Sequence, residues 1–159
     1  TQFIPRPTLV PGLSGKNIVE IAPAIHHSLA RDKEGRIFSF GRGTYGRLGR
    51  TDVDVREDTK LHNPTLITAL SHINVTKIAV GEAVSGALGS HPGEVFMWGI
   101  GTTSQLGKGE GGMFADDENL PRKVDLPDDS ALRHNNMIPK QLSIGGSHVV
   151  ILAEKKIES

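Results

Sequence analysis

The sequence predicts an all-β chain made of repeated β-propeller blades, and two observations carry that expectation. The first is a duplication. Gly35-Arg36-Ile37-Phe38-Ser39-Phe40-Gly41-Arg42-Gly43-Thr44-Tyr45-Gly46-Arg47-Leu48-Gly49 recurs 58 positions later, without a gap, as Gly93-Glu94-Val95-Phe96-Met97-Trp98-Gly99-Ile100-Gly101-Thr102-Thr103-Ser104-Gln105-Leu106-Gly107. Four glycines coincide, and Gly is the residue that tolerates positive φ, so the duplication is one of backbone geometry. The second is the texture of the chain. Apolar runs of four to six residues, rich in Val, Ile and Phe, are bounded by Gly, Pro, Asp and Asn, and no window keeps a 3.6-residue period. Several short antiparallel strands per repeat, at a period in this range, mean propeller blades.

The elements follow in order. Pro7-Thr8-Leu9-Val10 is matched by Pro64-Thr65-Leu66-Ile67 and, more weakly, by Pro121-Arg122-Lys123-Val124. Alternating stretches come next: Ile18-Val19-Glu20-Ile21-Ala22, Val75-Thr76-Lys77-Ile78-Ala79 and Gln141-Leu142-Ser143-Ile144. A second strand begins at His27-Ser28-Leu29-Ala30, at Ser85-Gly86-Ala87-Leu88 and at His148-Val149-Val150-Ile151. On this alignment Ser85 stands where the outer units have His. Asp32-Lys33-Glu34-Gly35 and Ser90-His91-Pro92-Gly93 are polar four-residue links ending in Gly, a hairpin signal before the third strand. Phe38, Phe40, Phe96 and Trp98 occupy matching places in that strand and are expected in the core. The third unit has no copy of the Gly-Arg-Ile-Phe-Ser-Phe-Gly segment. One domain over 1–159 is expected, about two and two-thirds repeats long, with units near 1–57, 58–114 and an incomplete 115–159.

Composition narrows the chemistry. Lys plus Arg is 18 and Asp plus Glu is 18, a zero balance that argues against a dominant electrostatic grip on nucleic acid. Cysteine is absent, which removes disulfides and thiolate chemistry and fits a reducing compartment. No apolar run reaches the length of a membrane-spanning helix. The first residues are not a signal peptide, and a chain that opens inside a repeat without an initiator Met is expected to be a fragment. Arg50 to Asn63 and Lys108 to Asn119 are long polar stretches, read either as solvated loops or as loops that touch a partner.

Catalytic signatures are missing. There is no phosphate loop and no nucleophile elbow. Gly41-Arg42-Gly43-Thr44-Tyr45-Gly46 fits GxGxxG, but its repeat partner loses the last Gly and neither copy opens a helix, so no cofactor is expected. The histidines form no helical i, i+4 pair and have no carboxylates at ligand spacing, so no metal is expected. His26, His27 and His148 differ from the other histidines because they recur before the second strand. They are read either as structural imidazoles bonding backbone groups or as polar side chains on one partner-facing side of the disc. Arg42, Tyr45 and Arg47 follow the third strand in a Gly-rich turn, read either as an exposed turn with no partner or as partner contacts, since Arg and Tyr are favoured at interface hot spots.

Taken together, Phe38-Ser39-Phe40-Gly41, Tyr45-Gly46-Arg47-Leu48-Gly49, Val95-Phe96-Met97-Trp98-Gly99 and Gly145-Gly146-Ser147-His148 resemble the regulator of chromosome condensation family over nearly the whole chain. Pro23-Ala24 departs from the Gly-Gly usual in that family, and Asp128 to Asn136 lengthens the last unit. The resemblance implies a seven-bladed propeller and a guanine-nucleotide exchange factor for the Ran GTPase that breaks no covalent bond. It implies a nuclear protein bound to chromatin (nucleosome, histones and DNA) through parts outside this chain, with no membrane and no small-molecule substrate. It makes His26 the exchange residue, with His148 beside it and His27, Arg42 and Tyr45 as partner contacts. The alternative is a propeller scaffold of the same superfamily without exchange activity.

Overall fold

The computed structural model describes residues 6–102, 106–107, 117–124 and 137–155. Among them, strands β1 (Ile18–Pro23), β2 (His27–Asp32), β3 (Ile37–Arg42) and β4 (Lys60–Leu66) form one antiparallel sheet in chain order. Strands β5 (Val75–Val80), β6 (Val84–Gly89), β7 (Val95–Gly99) and β8 (Glu118–Lys123) repeat it. Strands β9 (Met137–Ile144) and β10 (Val149–Lys155) pair as a third, two-stranded sheet. The chain is thus all-β: two four-stranded blades and part of a third. Residues 108–116 of the polar stretch Lys108 to Asn119, and the segment 128–136 that lengthens the last unit, lie outside the described residues.

The fourth strand of each blade carries the Pro-containing segment that opens a sequence repeat, since Leu66 pairs with Phe38 and Lys123 with Phe96. The register of the hairpins corrects one sequence alignment. His27 faces Gly41, and Val84 faces Gly99 in the same way; Ser28 and Ser85 face Phe40 and Trp98. Val84, not Ser85, is therefore the counterpart of His27. The extra residue of the second repeat sits in the β6–β7 hairpin, where Gly89 N reaches Glu94 O across one more residue than Asp32 N needs to reach Arg36 O.

The duplicated glycines mark close approaches. Gly41 (φ 115) and Gly99 (φ 108) end the third strands where the preceding hairpin crosses them. A Cβ there would lie 2.5 Å from the His26 carbonyl oxygen and 2.2 Å from that of Ala83. The same carbonyls accept Arg42 N–H and Ile100 N–H, so the glycines let one hairpin close onto the next turn.

One core cluster joins the first two blades through Leu29, Ile37, Ile67, Val75, Ile78, Phe96 and Trp98; a second and a third join the second blade to β9 and β10 through Ala79, Leu88, Val95 and Leu142 and through Val84, Met97 and Leu106. Phe40 departs from its expected place. Trp98 is fully buried because it rests on the turn after β3, within 2.7 Å of where a Cβ on Gly49 would stand. No described turn occupies that place against Phe40, and it is only half-buried.

Polar bonds also cross between blades. Glu20 pairs with Arg31 at 2.7 Å and accepts Ile78 N–H at 3.4 Å, while Arg31 donates to the Val75 carbonyl. The Arg47 carbonyl accepts both Trp98 Nε1–H (3.1 Å) and Ser85 Oγ–H (2.9 Å). Because Ser85 gives its only proton to Arg47, it accepts from His27 Nε2 at 2.7 Å, which sets the imidazole as the Nε2–H tautomer. His27 Nδ1 is buried and has no partner among the described residues.

Two outcomes follow. Burial, then the Arg47 charge and His26, lower the His27 pKa from 6.5 to about 3. The unfolded chain therefore binds a proton that the folded chain refuses, and stability falls as pH drops below the unfolded value. Urea unfolding is expected to show a loss of about 1.4 kcal/mol per pH unit below roughly 6.5, and His27→Gln is expected to remove that slope. Gly49→Ala combines positive φ with a contact on Trp98, whereas Gly15→Ala has positive φ (74) and nothing within 4 Å. Gly15→Ala is expected to cost about 1 kcal/mol and Gly49→Ala about 2 kcal/mol or more, followed by Trp98 fluorescence in urea.

Candidate partner-binding cavity

The hairpins β1–β2, β5–β6 and β9–β10 meet the turns after β3 and β7 at one end of the sheets. There a cavity of about 400 Å³ is lined by His26, Arg42, Tyr45, Arg47, Glu82, Ala83, Ile100, Thr102 and Gly146. All three blades contribute, so no single repeat could form it.

The turn after β3 supplies most of the chemistry. Tyr45 holds φ 62, a left-handed conformation uncommon for a residue with a Cβ. Its amide is tied to the Val55 carbonyl at 3.3 Å, and Gly43 N–H donates to Thr59 O, so the long loop after Arg50 folds back to brace the turn. The Tyr45 ring stays 47% exposed and stands over the Arg47 guanidinium, 5.4 Å from ring centroid to Cζ.

Arg47 is 2% exposed. Its Nε donates to Thr44 O (2.8 Å), one terminal nitrogen to Thr44 Oγ1 (3.2 Å) and the other, weakly, to the Glu82 carbonyl (3.5 Å). Among the described residues no carboxylate lies within ion-pair distance of it. Burial first, then the nearby Arg42 charge, push its pKa below the ordinary arginine value. Arg42 is matched by Asp58, 2.5 Å from its Nε. His26 stands between this cavity and a second of about 340 Å³ lined with Ile25, Asp58, Lys60 and His62.

The sequence-derived candidates separate into three groups. His26, Arg42 and Tyr45 come together on the cavity. His148 is exposed on the β9–β10 hairpin, whose Gly146 lines the cavity, but does not itself line it. His27 is corrected: it is buried between the first two blades, bonded to Ser85, and the second blade covers it from any partner. Arg47, grouped with Arg42 and Tyr45 in the Gly-rich turn, joins them on the cavity; Glu82, Ala83, Ile100 and Thr102 carry no contact signal of their own. The repeat held the signal for some of them, since Ile100 and Thr102 stand 58 positions after Arg42 and Thr44, and Ala83 stands 57 after His26. Among the described residues no three His, Asp or Glu side chains gather as a metal site, and no helix is long and apolar enough to cross a membrane.

Comparison with known proteins gives a consistent result. The regulator of chromosome condensation (RCC1) repeat matches residues 34–88 and 92–152. The mouse regulator of chromosome condensation is 34% identical over 157 residues, 99% of this chain and 34% of that protein. Human E3 ubiquitin-protein ligase HERC2 is 37% identical over 124 residues, 74% of this chain and 2% of that protein. Prp20p from Saccharomyces cerevisiae, whose crystal structure was described with its binding to Gsp1p and histones, superposes with a TM-score of 0.74 at 23% identity, covering 91% of this chain and 33% of that one. The chain spans about a third of the length of the regulators of chromosome condensation it matches. It belongs to the regulator of chromosome condensation (RCC1) repeat family.

Proposed function

We propose that the chain is part of a guanine-nucleotide exchange factor for the Ran GTPase, nuclear and chromatin-associated, acting within a closed seven-bladed propeller as one continuous domain. The observation that carries this reading is the 34% identity to the mouse and human regulators of chromosome condensation over almost the whole chain. The Prp20p likeness supports Ran and histones as partners, since that protein was described with its binding to Gsp1p and histones. On this reading the cavity end of the sheets faces Ran, with His26 as the exchange residue, Arg42 and Tyr45 as contacts and His148 at the edge. Exchange makes no bond. A factor that binds the nucleotide-free GTPase more tightly than the loaded one weakens nucleotide binding by the same factor. Nucleotide and its metal ion belong to Ran, so the chain itself needs no cofactor.

HERC2 supports a second reading, a propeller scaffold without exchange activity. Release of labelled GDP from Ran separates the two. The full-length protein is expected to accelerate release, and His26→Ala to slow it about tenfold, or roughly 1.4 kcal/mol, with the unfolding midpoint unchanged. No acceleration by the wild type would favour the scaffold; wild-type release by the variant would return His26 to a structural role.

The isolated chain is expected to behave differently. Val19 and Ile21 on one flank and Val150 and Leu152 on the other are exposed apolar side chains. Uncovered apolar faces and open strand edges are templates for association. Light scattering at micromolar concentration is expected to show self-association, with no Ran exchange. A monomer with full exchange activity would contradict this.

A further inference from the structure

We propose that the Tyr45–Arg47 cleft receives a carboxylate side chain from a protein partner, with the Tyr45 ring as its wall. The starting point is an imbalance of charge. Arg47 is buried, and among the described residues every hydrogen bond it makes goes to a neutral oxygen. A buried cation without a counter-ion is costly, because desolvation is not repaid by an ion pair. The neighbouring charges do not cancel it. Arg42 is neutralised by Asp58. Glu82 is exposed on the rim; its backbone carbonyl takes the Arg47 hydrogen bond, and its carboxylate, like that of Asp58, acts on Arg47 only through space, outside ion-pair distance. His26 adds a polar ring and no negative charge. The cavity wall is therefore positive where it is driest, and solvent screens it least there.

The shape of the cleft favours a side chain on a protein over a free ion. The volume of about 400 Å³ is far more than a small anion fills. Ile100 and the exposed ring of Tyr45 offer apolar contact beside the cation, and Ile25 stands exposed near the neighbouring depression. An aromatic ring and an arginine in one pocket is the composition of an interface hot spot. The backbone adds to this. The turn holds Tyr45 in a left-handed conformation that Gly or Asn would adopt more easily, and a strained exposed aromatic fits a contact role better than a packing one. The proposal does not depend on the partner being Ran.

The test is titration of a hexaglutamate peptide into the full-length protein at low salt, by calorimetry. Arg47→Gln places at this position the residue that the second repeat carries, Gln105, so the repeat itself tolerates it. It is expected to weaken peptide binding about tenfold. Tyr45→Ala changes an exposed ring and is expected to weaken binding about threefold, so a folding defect in the first variant would not leave the matter open. Lys33→Gln removes an exposed charge from the β2–β3 hairpin at the opposite end of the strands and is expected to change nothing. Inorganic phosphate is expected not to displace the peptide. Unchanged binding in both Arg47→Gln and Tyr45→Ala would overturn the proposal. So would equal weakening by Lys33→Gln, which would mean bulk electrostatics, or displacement by phosphate, which would mean a general anion site. Loss of Ran exchange with peptide binding intact would count against the Ran reading alone.

Discussion

The junction between the first two blades turns on one backbone carbonyl, that of Arg47. It accepts the indole N–H of Trp98 and the hydroxyl of Ser85, both from the second blade. Trp98 is the only tryptophan in the chain and is fully buried. A buried indole needs an acceptor, and here the acceptor belongs to the neighbouring blade. Leu48 and Gly49, the next two residues, close the contact: the Leu48 carbonyl takes the Ser39 hydroxyl at 2.8 Å, and Gly49 leaves room for the indole. The angle between two blades thus rests on three consecutive residues of one turn.

That turn also builds the cavity. With its carbonyl fixed toward the second blade, Arg47 has its side chain folded back on Thr44, and Tyr45 is left outside in a left-handed conformation. The blade contact and the candidate binding surface are two sides of the same short segment. Substitutions at Leu48 and Gly49 act on stability, whereas Tyr45 and the Arg47 guanidinium line the cavity and their substitutions act on recognition. His27 belongs to the buried side even though His26, one residue earlier, lines the cavity. His26 lies in the β1–β2 turn at the end of the sheet, whereas His27 opens β2 and is packed against the next blade.

Much of the fold was legible in the sequence because its signals were local. Duplicated glycines, the Asp32-Lys33-Glu34-Gly35 hairpin and the short Val- and Ile-rich strands each act within a few residues. Asp32 illustrates this: its buried carboxylate takes the amides of Glu34 and Arg36 and so sets its own turn. What stayed hidden depended on the neighbouring blade. Arg47 reads as an exposed turn residue until Trp98, 51 positions later, is laid over it. His27 reads either as a structural imidazole or as a partner-facing one until Ser85, 58 positions later, covers it. The one-residue error in aligning the second strands has the same root, because only pairing with β3 and β7 shows which hairpin carries the extra residue.

The functional account turns on whether the cavity end of the sheets meets the GTPase. The most direct measurement is site-specific photo-crosslinking from position 45, with a benzophenone side chain in place of the exposed Tyr45 ring of the full-length protein. The account expects a cross-link to Ran that is strong when Ran is free of nucleotide and weak when it is loaded with GDP. A cross-link that ignores the nucleotide state, or none at all in a protein that still binds Ran, would contradict it.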